Sequence, residues 1–369
     1  MLLIDQLKTI TDPRSRRGRR HPLWLVLFLS LLGSLCGYWG YRPLEAFATE
    51  HQARWCALLG LAPDTAVPSY STFRQVFLRV DSQGWVAVFN VWASHRLAAT
   101  LGQLSVDGKS IKCTGSGGQS SEQNFAMMVS LYGQHVGVVG LALMFNKKTS
   151  EIAVARSLLA QLPAITGKAQ GAPTCISLDA LHAQVATLEL LQRQQVPYLV
   201  GLKANQHKLY QQAEQLREQA VPQSGASEQE TTRNRLVHRS LKVYAAPVKL
   251  SKRWSAAGIE QIVWIERRGE RDGKAFCEQH YFLSNRTHHA NVYRRYIRDH
   301  WQIENGLHWV KDVTFKEDYP PRQSQHAPTS WAVLHSFIIS IARRMGARTV
   351  PEAMRLLANR IDKVFHWLT

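Results

Sequence analysis

The sequence predicts an α/β protein in which a mixed sheet is preceded by a helical domain and interrupted by a β-rich insertion. Three observations lead to this prediction. The first hundred residues carry apolar runs with the helical period. From about residue 101, strand-like runs appear and then alternate with amphipathic helices. A chain of 369 residues also exceeds what one hydrophobic core usually serves, so more than one structural unit is expected.

Residues 1–100 are predicted to form a helical N-terminal domain that suits DNA binding, although a plain helical bundle is equally consistent. The segment 22–41, "PLWLVLFLSLLGSLCGYWGY", carries no charge and follows the basic run "RSRRGRRH". By length it could span a bilayer, but glycines interrupt it and no second span follows, so we expect a buried helix. A signal peptide is not expected, because the apolar run begins only after a dense basic cluster. Another helix, "SYSTFRQVF", is predicted to be capped by Ser69 or Ser71.

Residues 101–203 are predicted to form the first part of a core. "QLSVD" is a strand ending at Asp107, and "NFAMMVSLYG" and "VGVVGLALMF" form a hairpin. The helix "TSEIAVARSLLAQL", capped by Thr149 or Ser150, leads to the strand "TCISLD", which ends at Asp179. A further helix and the strand "PYLVGL" follow. This order is that of a ribonuclease-H-like core, in which the first and fourth strands are neighbours.

Residues 204–283 are predicted to interrupt this core as a β-rich insertion. A polar helix, "HKLYQQAEQLREQ", and a loose stretch, "VPQSGASEQETTRNR", precede three strand-like runs. The turn "RDGK" joins the last two runs as a hairpin. Residues 284–369 then return to the core as its second part with C-terminal helices, and they include "DHWQIENGLHWVKDV" at 299–313.

Two aspartates follow strands that are expected to be neighbours in the sheet. Adjacent strands lie about 4.8 Å apart, so Asp107 and Asp179 should face each other at the carboxyl edge, where α/β folds place their ligands. Two unpaired carboxylates at that distance would repel. A divalent cation relieves this repulsion, and carboxylate oxygens suit Mg²⁺ or Mn²⁺.

The stretch 299–313 places one glutamate between an apolar stripe and an aromatic, cationic flank. At about 100° per residue, Ile303, Leu307 and Val310 form one apolar stripe of a helix. Glu304 lies at the border of this stripe. The flank around it is formed by His300, Trp301, His308 and Lys311. A capped, half-buried helix with an ion pair would explain the same pattern without any catalytic role.

The charge of the chain indicates a polyanionic partner. Lys and Arg number 45 against 27 Asp and Glu, which gives a formal net charge of +18. Nucleic acid binds such proteins because each neutralised phosphate releases counterions, although a membrane surface would satisfy the same charge. The five cysteines are scattered and form no CxxC pair, which argues against a disulfide framework and fits a reducing cytoplasm.

Four motifs resemble those of the DDE insertion-sequence transposases of the H-repeat-associated kind: "LSVDGKSIK", "ISLDALHAQ", "YLVGLKANQ" and "HWQIENGLHWVKDVTFKED". The resemblance covers nearly the whole chain in order. It implies an enzyme that binds the terminal inverted repeats of an insertion sequence and catalyses metal-dependent DNA strand cleavage and strand transfer. The expected partners are double-stranded DNA of the element ends and target and a second copy of the chain, in the bacterial cytoplasm at the nucleoid and not at a membrane.

The resemblance also implies a catalytic triad. Asp107, Asp179 and Glu304 are expected to hold two Mg²⁺ ions, for which Mn²⁺ can substitute, with Asp107 bridging both. Alternatives for the third ligand are Glu151, Glu317 and Asp318. Structural explanations also remain open, because Asp107 precedes a glycine and could form a turn, and Asp179 could be a helix N-cap.

One signature of the wider superfamily is incomplete in this chain. Read back from Glu304, the tyrosine–arginine–glutamate–lysine signature has Ile297 and His300 where tyrosine and arginine are expected. Lys311 does fall in the lysine place. We therefore expect His300 and Lys311 to hold the terminal phosphate.

Further DNA contacts are expected on both sides of the triad. Trp301 could stack on a flipped or terminal base, or be a core aromatic. His308 and His182 are expected to act behind the metal ligands. The residues expected to line the DNA groove are Lys109, Lys112, Lys203 and Asn205. Those expected to contact phosphates are Arg14, Arg16, Arg17, Arg19 and Arg20, for which a disordered tail is the competing interpretation.

Two other functions compete with this interpretation. His300, Glu304 and His308 are spaced along one helix face, so a zinc hydrolase is conceivable, but eight positions span about 12 Å of helix, too far for both histidines to bind one ion. A catalytically silent, domesticated transposase-derived DNA-binding protein is the second alternative. An intact acidic set argues against it.

Overall fold

The computed structural model describes residues 2–97, 101–116, 124–144, 151–167, 173–232, 235–247, 252–271 and 273–369. Its backbone divides into two units. The first consists of residues 1–98, 108–154 and 304–369, and the second of residues 99–107 and 155–303.

The helices and strands are numbered in chain order. The helices are α1 (Leu2–Leu7), α2 (Leu23–Leu35), α3 (Tyr41–Glu50), α4 (Gln52–Leu59), α5 (Tyr70–Arg79), α6 (Ser82–Ser94), α7 (Glu151–Ala160), α8 (Leu162–Thr166), α9 (Val185–Arg193), α10 (His207–Gln219), α11 (Ala290–His300), α12 (Ala327–Arg344), α13 (Val350–Leu357) and α14 (Ile361–Leu368). The strands are β1 (Gln103–Ser116), β2 (Asn124–Gly133), β3 (Gly137–Met144), β4 (Cys175–Leu178), β5 (Tyr198–Leu202), β6 (Ser224–Thr232), β7 (Arg235–Ala245), β8 (Gln261–Arg271) and β9 (Lys274–Ser284).

Helix α2 is the centre of the helical region of the first unit. Its side chains are buried except for the half-buried Trp24, which confirms the predicted buried helix. Each fully buried Leu or Phe contributes about 1.5–3 kcal/mol. Gly33 lets α3 approach closely, because a Cβ at this position would lie 2.8 Å from Leu44 and 2.9 Å from Phe47. Within the described residues, every helix is too short or too polar to span a lipid bilayer.

The helix α5 begins where the sequence predicted. The Ser69 side chain accepts a hydrogen bond from the backbone N–H of Thr72 at 3.4 Å, so Ser69 rather than Ser71 is the N-cap. Helix α7 begins at Glu151. Its predicted caps, Thr149 and Ser150, lie outside the described residues.

The sheet of the first unit has the strand order β3-β2-β1, and β2 and β3 form the predicted antiparallel hairpin. Strand β3 is at the edge, where α6 and α12 pack against it. Both helices satisfy its edge backbone groups. Asn90 of α6 exchanges two hydrogen bonds with the backbone of Leu141 (2.8 and 2.9 Å), and Ser340 of α12 does so with Val138 (3.0 Å each).

The second unit has the order β1-β4-β5-β9-β8-β7-β6. Strands β1, β4 and β5 are parallel, and those from β9 onward are antiparallel to their neighbours. The first and fourth strands are therefore neighbours, as the ribonuclease-H-like order predicted. Strand β1 does not end at Asp107, which corrects the sequence prediction. It stops pairing with β4 at Val106 and continues to Ser116 in the first unit.

The insertion is more regular than the sequence indicated. The stretch predicted to be loose contains β6, which pairs with β7 over its whole length. Strand β6 lacks apolar alternation because it is an edge strand whose acids pair with cations: Arg239 reaches both Glu228 (3.8 Å) and Glu230 (2.6 Å). The predicted hairpin between β8 and β9 is present, with Arg271 opposite Lys274. Helix α11 packs on this sheet through Tyr293 and other buried apolar residues.

Candidate active site

In the second unit, Asp107 and Asp179 occupy equivalent places on two neighbouring parallel strands. Val106 of β1 is opposite Leu178 of β4 in the last pair of the register, and each aspartate is the next residue. Neighbouring strands lie about 4.8 Å apart. The backbone positions of the two aspartates are therefore neighbours, although β1 runs on beyond Asp107. The predicted pairing of their carboxylates stays a prediction.

Asp179 also caps the short 3₁₀ turn that follows β4. Its Oδ1 accepts a hydrogen bond from the N–H of Leu181 at 3.0 Å, and the Nε2 of His182, fully buried, lies 3.8 Å from the same oxygen. The side chain is 47% exposed, so the carboxylate remains accessible to a ligand. The Asn205 side chain donates to the carbonyl of Ala180 at 2.9 Å. Asn205 thus steadies the turn that carries Asp179, a function that its sequence position did not reveal.

His300 and Trp301 differ in how their side chains are placed. The Nδ1 of His300, at the end of α11, lies 3.0 Å from the hydroxyl of Ser177 in β4. Trp301 is 54% exposed, so it is not a core aromatic. Lys203 is exposed just after β5. The predicted DNA contacts of these residues stay predictions.

In the first unit, Glu304 lies on a π-helix rather than on an α-helix. Segments Glu304–His308 and Val310–Thr314 are both π-helical, which corrects the expectation of one α-helix over 299–313. The apolar stripe is buried as predicted. In a regular α-helix, seven residues complete about two turns and would bring Lys311 to the face of Glu304. A π-helix, with its i→i+5 hydrogen bonds, takes more residues per turn, so Lys311 points elsewhere.

Lys311 faces the interior, which corrects its predicted place on the open flank. Lys311 is only 1% exposed. Its ammonium lies 3.4 Å from Glu317 and donates a hydrogen bond to the carbonyl of Ala332 at 3.3 Å. The second partner of Glu317 is His335, at 2.7 Å. Burial alone would raise the pKa of Glu317, but Lys311 and His335 outweigh it and lower this pKa to about 2. Glu317, one alternative to Glu304, thus belongs to a buried charged network.

Lys109 and Lys112 are joined to acids of the same unit. Lys109 contacts Asp312 (2.6 Å) and Asp318 (3.1 Å), and Lys112 contacts Asp318 (2.6 Å). Burial lowers the pKa of Lys109, but these acids outweigh it and raise the pKa overall. Lys112 is 63% exposed and Lys109 only 10%, so Lys112 is the more accessible of the two to DNA.

The remaining alternative acid, Glu151, lies close to the candidate site. It begins α7, and a Cβ added to Gly108 would lie 2.7 Å from its carboxyl carbon. Gly108 immediately follows Asp107 in β1. A larger residue at position 108 would displace the end of the flexible Glu151 side chain, so the glycine of the "VDG" motif lets this carboxylate lie against the backbone of β1.

The basic run near the N-terminus divides into exposed and structural arginines. Arg14 is 3% exposed and pairs with Asp12 at 2.8 Å, and Arg19 donates to the carbonyls of Asp12 and Arg14. The exposed members of the run are Arg16, Arg17, Arg19 and Arg20. The structure thus orders this run, and the interpretation as a disordered tail is wrong.

Glu304 and His308 are the side chains of the first unit best suited to a metal ion. Their ligand atoms lie within 4.8 Å of one another in a group able to hold a cation, and His308 Nδ1 is 3.5 Å from Glu304 Oε2. Glu304 is 53% exposed. The carboxylate of Glu304 suits Mg²⁺ or Mn²⁺, whereas the imidazole of His308 favours Zn²⁺. This pair of side chains therefore fits a divalent cation.

Two protein-family models and several named bacterial proteins match this chain. A family model described as "Transposase DDE domain" matches residues 99–334, and one described as "DDE_Tnp_1-associated" matches residues 4–93. The protein YncI of Escherichia coli O157:H7, which is named as a transposase, is 26% identical over 86% of this chain and 80% of its own length. YhhI of E. coli K12, named as an H repeat-associated transposase, is 24% identical over 86% of this chain and 83% of its own length.

A solved structure is similar over most of the chain. It is a cryo-EM structure of the piggyBac transposase synaptic complex with hairpin DNA. The TM-score is 0.47 at 10% sequence identity, and the similarity covers 98% of this chain and 78% of that one.

Proposed function

The chain belongs to the transposase family that carries a DDE domain, as the sequence motifs indicated, and we propose that it cuts and joins DNA at the terminal inverted repeats of an insertion sequence. The observation that carries this proposal is the placement of Asp107 and Asp179 directly after the last paired residues of two neighbouring parallel strands. Carboxylates at the ends of neighbouring strands are suited to share a divalent cation, and DDE transposases generally use a divalent metal.

Asp107, Asp179 and Glu304 are proposed to hold two Mg²⁺ ions, and Mn²⁺ is expected to replace them. When bound, such ions activate the attacking oxygen and stabilise the leaving one in an in-line displacement. No protein nucleophile is required. The chain's own contribution is to orient these carboxylates: the Leu181 N–H fixes one oxygen of Asp179, Asn205 steadies the turn below it, and His308 contacts Glu304.

The DNA is proposed to be held by exposed cations and by the exposed indole of Trp301. Lys112, Lys203 and the exposed arginines of the N-terminal run (Arg16, Arg17, Arg19 and Arg20) are accessible for phosphate contacts. Lys311 is not proposed as a phosphate contact in this conformation, because its ammonium is buried against Glu317. A dimer on the two element ends, in the bacterial cytoplasm, remains part of the proposal.

The test is a strand-cleavage and strand-transfer assay on end DNA with Mg²⁺ or Mn²⁺. We expect Asp107→Asn, Asp179→Asn and Glu304→Gln each to reduce cleavage by about 10²–10³-fold, as loss of electrostatic stabilisation does. End binding should be retained. Glu278→Gln, which neutralises a comparably exposed acid in β9, is the control and should cleave normally. Full cleavage by the Glu304→Gln protein would reject the assignment of that residue.

The two rival functions make different predictions in the same assay. A domesticated DNA-binding protein would bind the ends, but the unaltered chain would not cut them with either metal. A zinc hydrolase would retain stoichiometric zinc through purification, which elemental analysis measures directly.

A further inference from the structure

A cavity in the first unit contains two arginines and two indoles that the proposed function does not use. Its volume is about 260 Å³. It opens where the ends of α6 and α12, the turn between β2 and β3, and the end of α14 come together. Trp92, Arg96, His135, Arg344 and Trp367 are among the residues that line it. No Asp or Glu is among the described residues of its wall.

Arg344 is held rigidly in this wall and retains an unused hydrogen-bond donor. Its Nε donates to the carbonyl of Val136 at 3.1 Å and its Nη2 to that of Ala93 at 3.4 Å, while the guanidinium lies 5.0 Å from the ring centre of Trp92. The remaining Nη1 is buried and has no partner among the described residues. A buried donor left unsatisfied is destabilising, so a small shift of the guanidinium that brings Nη1 to an acceptor in the cavity is favourable.

Arg96 brings a second positive charge to the same cavity. Burial lowers its pKa, and burial together with the neighbouring charge of Arg96 lowers the pKa of Arg344 to about 10. No carboxylate of the described residues contributes to either shift. The C-terminal ends of α6 and α12 favour nearby cations through their dipoles, which helps the chain to tolerate the pair. The helix dipoles do not, however, provide a hydrogen-bond acceptor for the buried Nη1 of Arg344.

We propose that this cavity binds a phosphate group. A phosphate offers several acceptor oxygens and up to two negative charges, so it can serve both guanidiniums at once. The flanking indoles exclude water and so strengthen the charge-assisted hydrogen bonds. The phosphate comes either from solution or from the DNA backbone. The proposal does not depend on strand cleavage, because none of these residues belongs to the candidate active site.

The first test compares thermal unfolding of the full chain in sodium phosphate and in sodium chloride at equal ionic strength. A ligand at about ten times its Kd should raise Tm by about 2–5 °C. We expect this rise in the unaltered protein and in Arg348→Gln, which removes an exposed arginine elsewhere in the unit, but not in Arg96→Gln. Arg96 is the better position for the substitution, because Arg344 also joins α12 to Val136 and Ala93 through hydrogen bonds. In chloride, Arg96→Gln should melt no lower than the unaltered protein, since a like-charge contact is removed.

The second test identifies the source of the phosphate. If DNA supplies it, Arg96→Gln should lower the slope of log affinity against log salt for duplex DNA by about one, and if the phosphate is free, the slope should not change. Equal Tm in phosphate and chloride, together with an unchanged slope, would overturn the proposal. So would a phosphate-dependent Tm rise that persists in Arg96→Gln.

Discussion

Glu317 is the residue on which a buried charged network of the first unit depends. It is 4% exposed and the shared partner of Lys311 and His335. Glu317→Gln would leave the Lys311 ammonium buried without its counter-charge. We expect a loss of about 3–5 kcal/mol in the free energy of unfolding, because breaking a buried ion pair from one side is strongly destabilising. The midpoint of urea unfolding, followed by circular dichroism, measures this loss.

A double variant and the pH dependence separate this effect from a loss of packing. Lys311→Met combined with Glu317→Gln should recover most of the stability, because no uncompensated charge remains. The pKa of Glu317 is lowered in the folded state to about 2, so its contribution should be complete above about pH 4.5 and disappear as the pH falls toward 2. A stability difference between Glu317→Gln and the unaltered protein that had already vanished at pH 6 would contradict this account.

Single side chains are where prediction from the sequence is weakest. The neighbouring backbone positions of Asp107 and Asp179 could be predicted because each directly follows a short apolar run, a pattern that is read within a few residues. The partner of Asn205 lies 25 positions away in the sequence, and those of Lys311 lie 6 or more positions away. No local sequence pattern encodes such contacts. Their roles therefore emerged only with the tertiary structure.

At the scale of elements, the π-helical segments mark the limit of periodicity analysis. A helical period of 3.6 residues correctly predicted that Ile303, Leu307 and Val310 are buried. It placed Lys311 on the wrong face, because an expanded turn shifts every later side chain around the axis. The neighbouring positions of β1 and β4 were predictable from the alternation of strands and helices. The edge strand β6 was not, because its polar side chains pair with cations rather than with a core.

The π-helical segment that carries Glu304 depends on a glycine. A Cβ at Gly306 would lie 2.3 Å from the hydroxyl of the buried Tyr132, while the carbonyl of Gly306 accepts a hydrogen bond from Arg343 at 2.9 Å. We expect Gly306→Ala to cost about 1–3 kcal/mol of stability through overpacking. Because the shifted segment carries Glu304, cleavage should fall more than end binding. Thermal unfolding and the cleavage assay measure the two effects.

A double-mutant cycle tests the cause of that loss. Tyr132→Phe removes the clashing hydroxyl, so adding it to Gly306→Ala should restore stability relative to the sum of the two single effects. A coupling of at least about 0.5 kcal/mol is expected for residues in such contact. Strictly additive losses would mean that the glycine is needed for its backbone conformation instead.

For the whole molecule, the net charge of +18 predicts DNA binding that weakens steeply with salt. A protein that contacts 6–10 phosphates loses about 10³–10⁵-fold in affinity between 50 and 200 mM salt. Filter binding or fluorescence anisotropy with a duplex of the element end measures this slope. A flat dependence would show that most of the excess charge lies away from the DNA.

Two arginines of the N-terminal run allow the salt dependence of DNA binding to distinguish a phosphate contact from a stabilising contact within the fold. Arg17 is exposed, so Arg17→Gln should lower the slope by about one and leave Tm unchanged. Arg14 is buried against Asp12 and the carbonyl of His21, so Arg14→Gln should lower Tm through a loss of about 1.5–3 kcal/mol and leave the slope intact if the protein remains folded. The opposite result, in which Arg14→Gln altered the slope and Arg17→Gln did not, would contradict the proposal that the exposed arginines of this run contact DNA. The two variants remove the same charge from the same short segment, so only the burial of the side chain distinguishes them.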